Sequence, residues 1–237
     1  MTDILIKNLP ILVVLCPLMM SLIVVLIPNI FLSWLLTFAS TFVAFIFSIL
    51  LYQEVQIHST ISYALGNWAP PLGIEYVIDK VSIFPIIIIT LIGFLTTIFS
   101  SKMMPDEINE TSISKVYSLW LLAIAGLIGL VTTGDAFNLF VFLEISSLAS
   151  VALVAMGAQK DKQALVAAYN YLIIGAVGAT LYVIGVGLLY GITGTLNMAD
   201  LSERVVDLKN NKALIAGFGF MIVGIMVKAA VFPMHIW

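Results

Sequence analysis

The sequence is poor in charge, nearly without cysteine and without a basic cluster. Only 10% of its 237 residues are Asp, Glu, Lys or Arg, where a soluble domain carries about a quarter. The chain is 62% hydrophobic with a mean hydropathy of +1.15, so it cannot cover itself with polar surface in water. Lipid is its main solvent. The single cysteine, Cys16, excludes an internal disulfide and a thiolate metal cluster, and it lies in an apolar run as a small apolar side chain. With a net charge of −3 and no run of bases, a nucleic-acid partner is excluded. No Gly-rich phosphate loop, nucleophile triad or metal-ligand spacing occurs, so neither a cofactor nor a metal is expected.

What remains is a set of long apolar runs. A spanning helix needs about 20 mostly apolar residues. Seven segments qualify: 8–27, 30–52, 81–100, 116–133, 136–156, 164–190 and one beginning near Ala213. The first resembles a signal peptide behind Lys7, but no small-residue cleavage site follows, so it reads as a retained helix. Residues 53–80 hold Gly66-Asn67, Pro70-Pro71 and Gly73 and cannot be one helix. The runs around Ile61–Tyr63 and Ile74–Ile78 could pair there as a small hairpin on the membrane surface. Ser101–Lys115 reads as a loop with Pro105, three acids and two lysines. Residues 191–212 read as amphipathic, with a surface helix from Met198.

The expected architecture is thus an all-α membrane protein with about seven transmembrane helices. It divides into helices one to three with their extramembrane loop (1–115) and helices four to seven (116–237). The last residues, Val231 to Trp237, carry no polar tail, so the seventh segment is expected to continue past the sequence; Trp237 as an interfacial anchor is the alternative. Lys102, Lys115, Lys160 and Lys162 sit in two short loops and favour that side as cytoplasmic, with the N-terminus outside.

Two charges break the pattern. Nearly all acids and bases fall in the loops, but Glu144 lies midway through helix five and Lys228 well inside segment seven. A charge at mid-membrane costs at least about 2.5–3.5 kcal/mol, so an ion pair or a watery path must offset it. An acid and a base that part and meet again in a dry interior change their hold on protons each time. That is the chemistry of a switchable relay. A static salt bridge fixing helix packing is the competing reading, although an expensive one. Asp135 at the mouth of helix five, Ser147 one turn beyond Glu144, Asn170 near the start of helix six and His235 are auxiliary candidates. Pro233, five residues after Lys228, has no N–H for the carbonyl of Ala229, so a kink or unwound turn is expected beside the lysine. Small residues at Gly175 and Ala179, and again at Ala213 and Gly217, permit close helix packing.

The stretch from Gly134 to Glu144 resembles the helix-five signature of the antiporter-like membrane subunits. That family comprises subunits of Mrp-type cation/proton antiporters, respiratory complex I and membrane-bound hydrogenases. The stretch from Lys228 to Trp237 resembles its helix-seven signature, and Leu188 to Leu201 is most similar to the branch of the Mrp D subunits and its hydrogenase relatives. The resemblance implies a fold of about fourteen helices with inverted five-helix repeats, of which this chain holds the leading helices and most of the first repeat. It implies proton translocation through Glu144 and Lys228 in a multisubunit monovalent cation (Na+)/H+ antiporter of the cell membrane, with other hydrophobic subunits as partners. The alternative it implies is a non-redox, proton-pumping subunit of an NADH:quinone oxidoreductase or hydrogenase complex. Where many members carry a further lysine early in helix six, this sequence has Asn170 or a nearby neutral residue.

Overall fold

The computed structural model of the protein describes residues 2–208 and 211–233. Among these, six helices are long and apolar enough to cross a membrane. They are α1 (Thr2–Val24), α2 (Ile30–His58), α3 (Ile83–Glu107), α4 (Glu110–Thr132), α5 (Ala136–Met156) and α6 (Gln163–Thr193). A short α7 (Met198–Arg204) precedes α8 (Lys212–Lys228), which has 17 residues. Strands β1 (Thr60–Ala64) and β2 (Glu75–Asp79) pair antiparallel, Thr60 opposite Asp79, as the hairpin expected between the breakers of the first long loop.

Several helix ends overrun the apolar runs, while α5 matches its run and α1 and α8 stop inside theirs, at Val24 and Lys228. Helix α2 continues through the polar turn to His58, and Ser101–Lys115 is helical except at 108–109. Hydropathy marks where lipid ends, while Lys, Glu, Met and Gln outside it still favour helix. Pro105 is tolerated because it stands in the last turn of α3, near water that can take up the freed carbonyl. Cys16 is only partly buried, and its sulfur lies 3.7 Å from the Ser40 hydroxyl.

Helix α4 is the axis of the bundle. It packs against α1, α2, α3 and α5, and 61% of its apolar window is buried, against 28–39% for the other spans. Hydroxyls fasten it where lipid offers no partner. Ser118 donates to the Ser21 carbonyl at 2.7 Å, Ser114 to the Ile27 carbonyl at 2.6 Å, and the Trp120 indole to Thr97 at 3.2 Å.

The connections divide into two sides. On one, which we call the hairpin side, the Tyr63 hydroxyl donates to Asn8 at 2.8 Å, and Gly134 donates to the Glu75 carbonyl at 2.8 Å. On the other, the turn side, Lys160 pairs with Glu107 at 2.8 Å. Lys102, Lys115, Lys160 and Lys162 all belong to the turn side.

Helices α6 and α8 run antiparallel with their backbones nearly touching. A Cβ added at Gly185 would stand 2.5 Å from the Gly217 carbonyl, and one at Gly224 would stand 2.6 Å from the Gly178 carbonyl. The α6 seam reads Gly175, Gly178, Tyr182, Gly185, Leu189, and the α8 seam reads Leu214, Gly217, Met221, Gly224, Lys228. Both step by three and four residues, the spacing of a tightly wound helix pair. Gly187 of α6 lies outside the seam, with nothing within 4 Å of its would-be Cβ. Lys228 is the last residue of this stripe.

Candidate functional site

The α8 seam delivers Lys228 to α5. Its ammonium donates to Glu144 Oε1 at 2.9 Å and to Ser147 Oγ at 2.9 Å. The two charged side chains are 11% and 27% exposed, so the pair is largely enclosed by protein. Gly175 of α6 stands beside them: a Cβ there would lie 3.5 Å from both Lys228 Nζ and Ser147 Oγ. The missing side chain leaves room around the ammonium.

The helix stops at the lysine. The Ala230 N–H donates to the Val227 carbonyl at 3.2 Å, and the Val231 N–H reaches back to Met226 at 3.0 Å. These are the two bonds of a Schellman termination. The residue that turns the chain, Ala230, has φ of +51°, a position usually given to glycine. The expected unwound turn is therefore present, and it begins three residues before Pro233. Ending α8 here gives Lys228 the negative end of the helix dipole, which favours its charge.

The other end of the site is fixed from the hairpin side. Asp135 caps α5, its Oδ1 accepting the Asn138 N–H at 2.7 Å. Burial pushes the Asp135 carboxyl up, against the pull of the Asn138 and Phe137 amides. It stands about 13 Å along the helix from Glu144, and its contacts are those of a cap. Around it three distant segments meet. Ala136 donates to the Leu196 carbonyl, and Met198 donates to the Gly134 carbonyl, both at 2.8 Å. The Glu75 carboxylate accepts the Asn197 amide at 2.8 Å and the Ser62 hydroxyl. Gly134 is needed here, since a Cβ would come 2.8 Å from Val77.

A cleft of ≈ 330 Å³ opens beside Lys228, lined by Ser146, Ser147, Ser150 and Tyr171 among leucines of α4 and α5. The sequence candidate Asn170 is not part of it. That residue is exposed on α6, and its neighbour Tyr171 faces the cleft instead. Pro233 follows the helix end, His58 is exposed beside Glu54, and His235 lies outside the described residues.

The comparisons with known proteins bear on these same residues. The family model for the transmembrane region of NADH:quinone oxidoreductase and Mrp antiporter subunits matches residues 133–237, which include the α5 cap, Glu144, Ser147 and Lys228. The chain is 42% identical over 175 residues to the N subunit of NADH-quinone oxidoreductase from Desulforudis audaxviator (strain MP104C), covering 74% of this chain and 34% of that protein. It is 30% identical over 233 residues to the D subunit of the Na(+)/H(+) antiporter from Bacillus subtilis (strain 168), covering 98% and 46%. Among solved structures, a chain of the membrane-bound sulfane sulfur reductase, an archaeal respiratory membrane complex, superposes with a TM-score of 0.87 at 31% identity. That superposition covers 97% of this chain and 46% of the other.

Residues 133–237 carry the transmembrane region of the NADH:quinone oxidoreductase and Mrp antiporter subunit family.

The chain spans less than half the length of the relatives it matches. Within this antiporter-like chain the ion pair was readable from sequence, because a charge in an apolar run announces itself. Three supporting residues were missed. Asn197 accepts from both Ala199 and Asp200 as the cap of α7, and an Asn before a short polar helix was the available signal. Glu75 sat in a hairpin strand without a mark of its own. Tyr182, whose hydroxyl donates to the Ala136 carbonyl at 3.1 Å, looked like one more aromatic in an apolar run.

Proposed function

We propose that this chain moves protons across the membrane as the leading part of the D subunit of a multisubunit Na+/H+ antiporter, with Glu144 and Lys228 as the relay. The observation that carries the proposal is the 2.9 Å contact between an acid and a base on different spans, enclosed by protein and shared with the Ser147 hydroxyl. Ser147 gives the ammonium a second acceptor. When a proton reaches Glu144, Lys228 can swing away without being left bare, and the vacant space at Gly175 accommodates the movement. The pair then re-forms as the proton leaves. Each cycle moves charge along the membrane without any redox centre.

Residues 1–115 serve as the leading helices and 116–237 as the greater part of an antiporter-like repeat. The turn side faces the cytoplasm, in keeping with its four lysines in short connections, and the membrane is the cell's plasma membrane. Other hydrophobic subunits complete the assembly. A second reading has a specific support: the 42% identity to an NADH-quinone oxidoreductase subunit favours the same relay placed in a redox-driven pump. The experiment is salt- and pH-driven proton flux in vesicles holding the assembled complex, with Glu144→Gln and Lys228→Ala. Both variants are expected to abolish flux while the complex still assembles. Unchanged flux in both would remove the relay. Dependence of flux on Na+ rather than on an electron donor separates the two readings.

A further inference from the structure

On the turn side, away from the ion pair, α3, α4 and α5 part to form a groove of ≈ 440 Å³. Its walls are apolar: Phe99, Met103, Met104, Val116, Leu153 and Met156. Its mouth is crossed by the Lys160–Glu107 pair at 2.8 Å, whose side chains are 60% and 49% exposed. Along α3 the groove runs from Thr96 to Glu107, about 16 Å at the helical rise. The hydrocarbon of one leaflet is about 15 Å deep, half the bilayer core. The groove therefore has an apolar depth of one acyl chain and opens at the level where a head group sits.

We infer that this groove binds a glycerophospholipid with a primary-amine head group, of the phosphatidylethanolamine kind. The mouth offers one cation and one anion side by side, and that head group carries a phosphate and an ammonium only two carbons apart. Lys160 donates to the phosphate and Glu107 accepts from the ammonium, so the lipid inserts between the paired side chains without leaving either unpaired. A choline head group has no N–H to give Glu107, and a glycerol head group brings only the negative charge. Three methionines line the walls, and their unbranched, polarisable side chains adapt to a mobile chain.

The test is native mass spectrometry of the assembled complex, purified and re-lipidated with equal mixtures of phosphatidylethanolamine, phosphatidylcholine and phosphatidylglycerol. One tightly retained ethanolamine lipid per copy of this chain is expected. Glu107→Gln, a surface change that leaves the fold intact, should lower the preference for ethanolamine over choline about three-fold, the worth of one exposed charge contact. Met156→Trp fills the groove and should release the lipid while the head-group residues remain; assembly of this variant is checked by native gel. Equal retention of all three lipids, preference for the glycerol lipid, or no lipid at all because protein fills the groove would each overturn the inference. So would retention that is unchanged in Met156→Trp.

Discussion

At the scale of single residues, a buried pair and a working relay make different demands, and substitutions can separate them. Removing one partner strands the other charge, which costs about 3–5 kcal/mol in a buried pair. Glu144→Gln and Lys228→Ala should therefore both lower the melting temperature of the complex. The double neutral variant, Glu144→Gln with Lys228→Gln, should recover most of that loss in a thermal-shift assay and still carry no proton flux. Recovery of flux along with stability would reduce the pair to a packing device. Ser147→Ala removes one of the two acceptors of the ammonium and should slow flux without abolishing it. Glu144 and Lys228 were legible in the sequence because apolar neighbours make a charge conspicuous. Ser147 was legible only as a candidate, since a helical serine ordinarily bonds its own preceding turn. Asn170 misled because polarity near a helix start says nothing about which way the side chain faces.

At the scale of elements, the α6–α8 seam and the start of α3 carry the testable statements. Gly185→Val would drive a side chain into the Gly217 carbonyl, separate the helices and displace Lys228 from Glu144. It should lower both thermal stability and flux, while Gly187→Ala, facing open space within α6, should leave flux unchanged and stability no lower. Ahead of α3, the Asp79 carboxylate accepts the Ser82 N–H at 2.7 Å and the Val81 N–H at 3.0 Å. The Ser82 amide is the first cause holding that carboxyl below its ordinary value of 3.8. A lowered folded value means that the turn is supported at every pH above the ordinary range and loses that support as pH falls through the lowered one. The protection of the Val81 and Ser82 amides against hydrogen exchange, with the intrinsic pH dependence of exchange divided out, should thus hold near neutrality and fall only in strong acid. The spans and the hairpin could be anticipated from hydropathy and breakers. The ends of α2, α3, α4 and α6 could not, because helix propensity continues past the point where lipid stops.

At the scale of the whole molecule, the site hangs from a knot on the hairpin side. Segments from the first loop, the α5 cap and the loop before α7 converge on Glu75 and Asn197. No local pattern in the sequence brings together residues this far apart; only the packed bundle does. Asn197→Ala removes the cap of α7 and the bond to Glu75 together, and should cost about 1–2 kcal/mol of stability. Protease nicking near residues 194–211 would report the loosening. Flux should fall less than in the Glu144 variant, because Asn197 holds the frame and lies outside the proposed relay.

The bare backbone contact between α6 and α8 also decides how Lys228 can travel. The backbones meet directly at Gly185 and Gly217 and at Gly178 and Gly224, with Met221, Leu189, Val227 and Tyr182 packed over the glycines, which leaves little room for one helix to tilt against the other. Under the proposed relay, the stroke of the ammonium comes from its own aliphatic arm, beside the hinge where Ala230 turns the chain. Stiffening that hinge region or shortening the arm should alter turnover while leaving the two helices where they are.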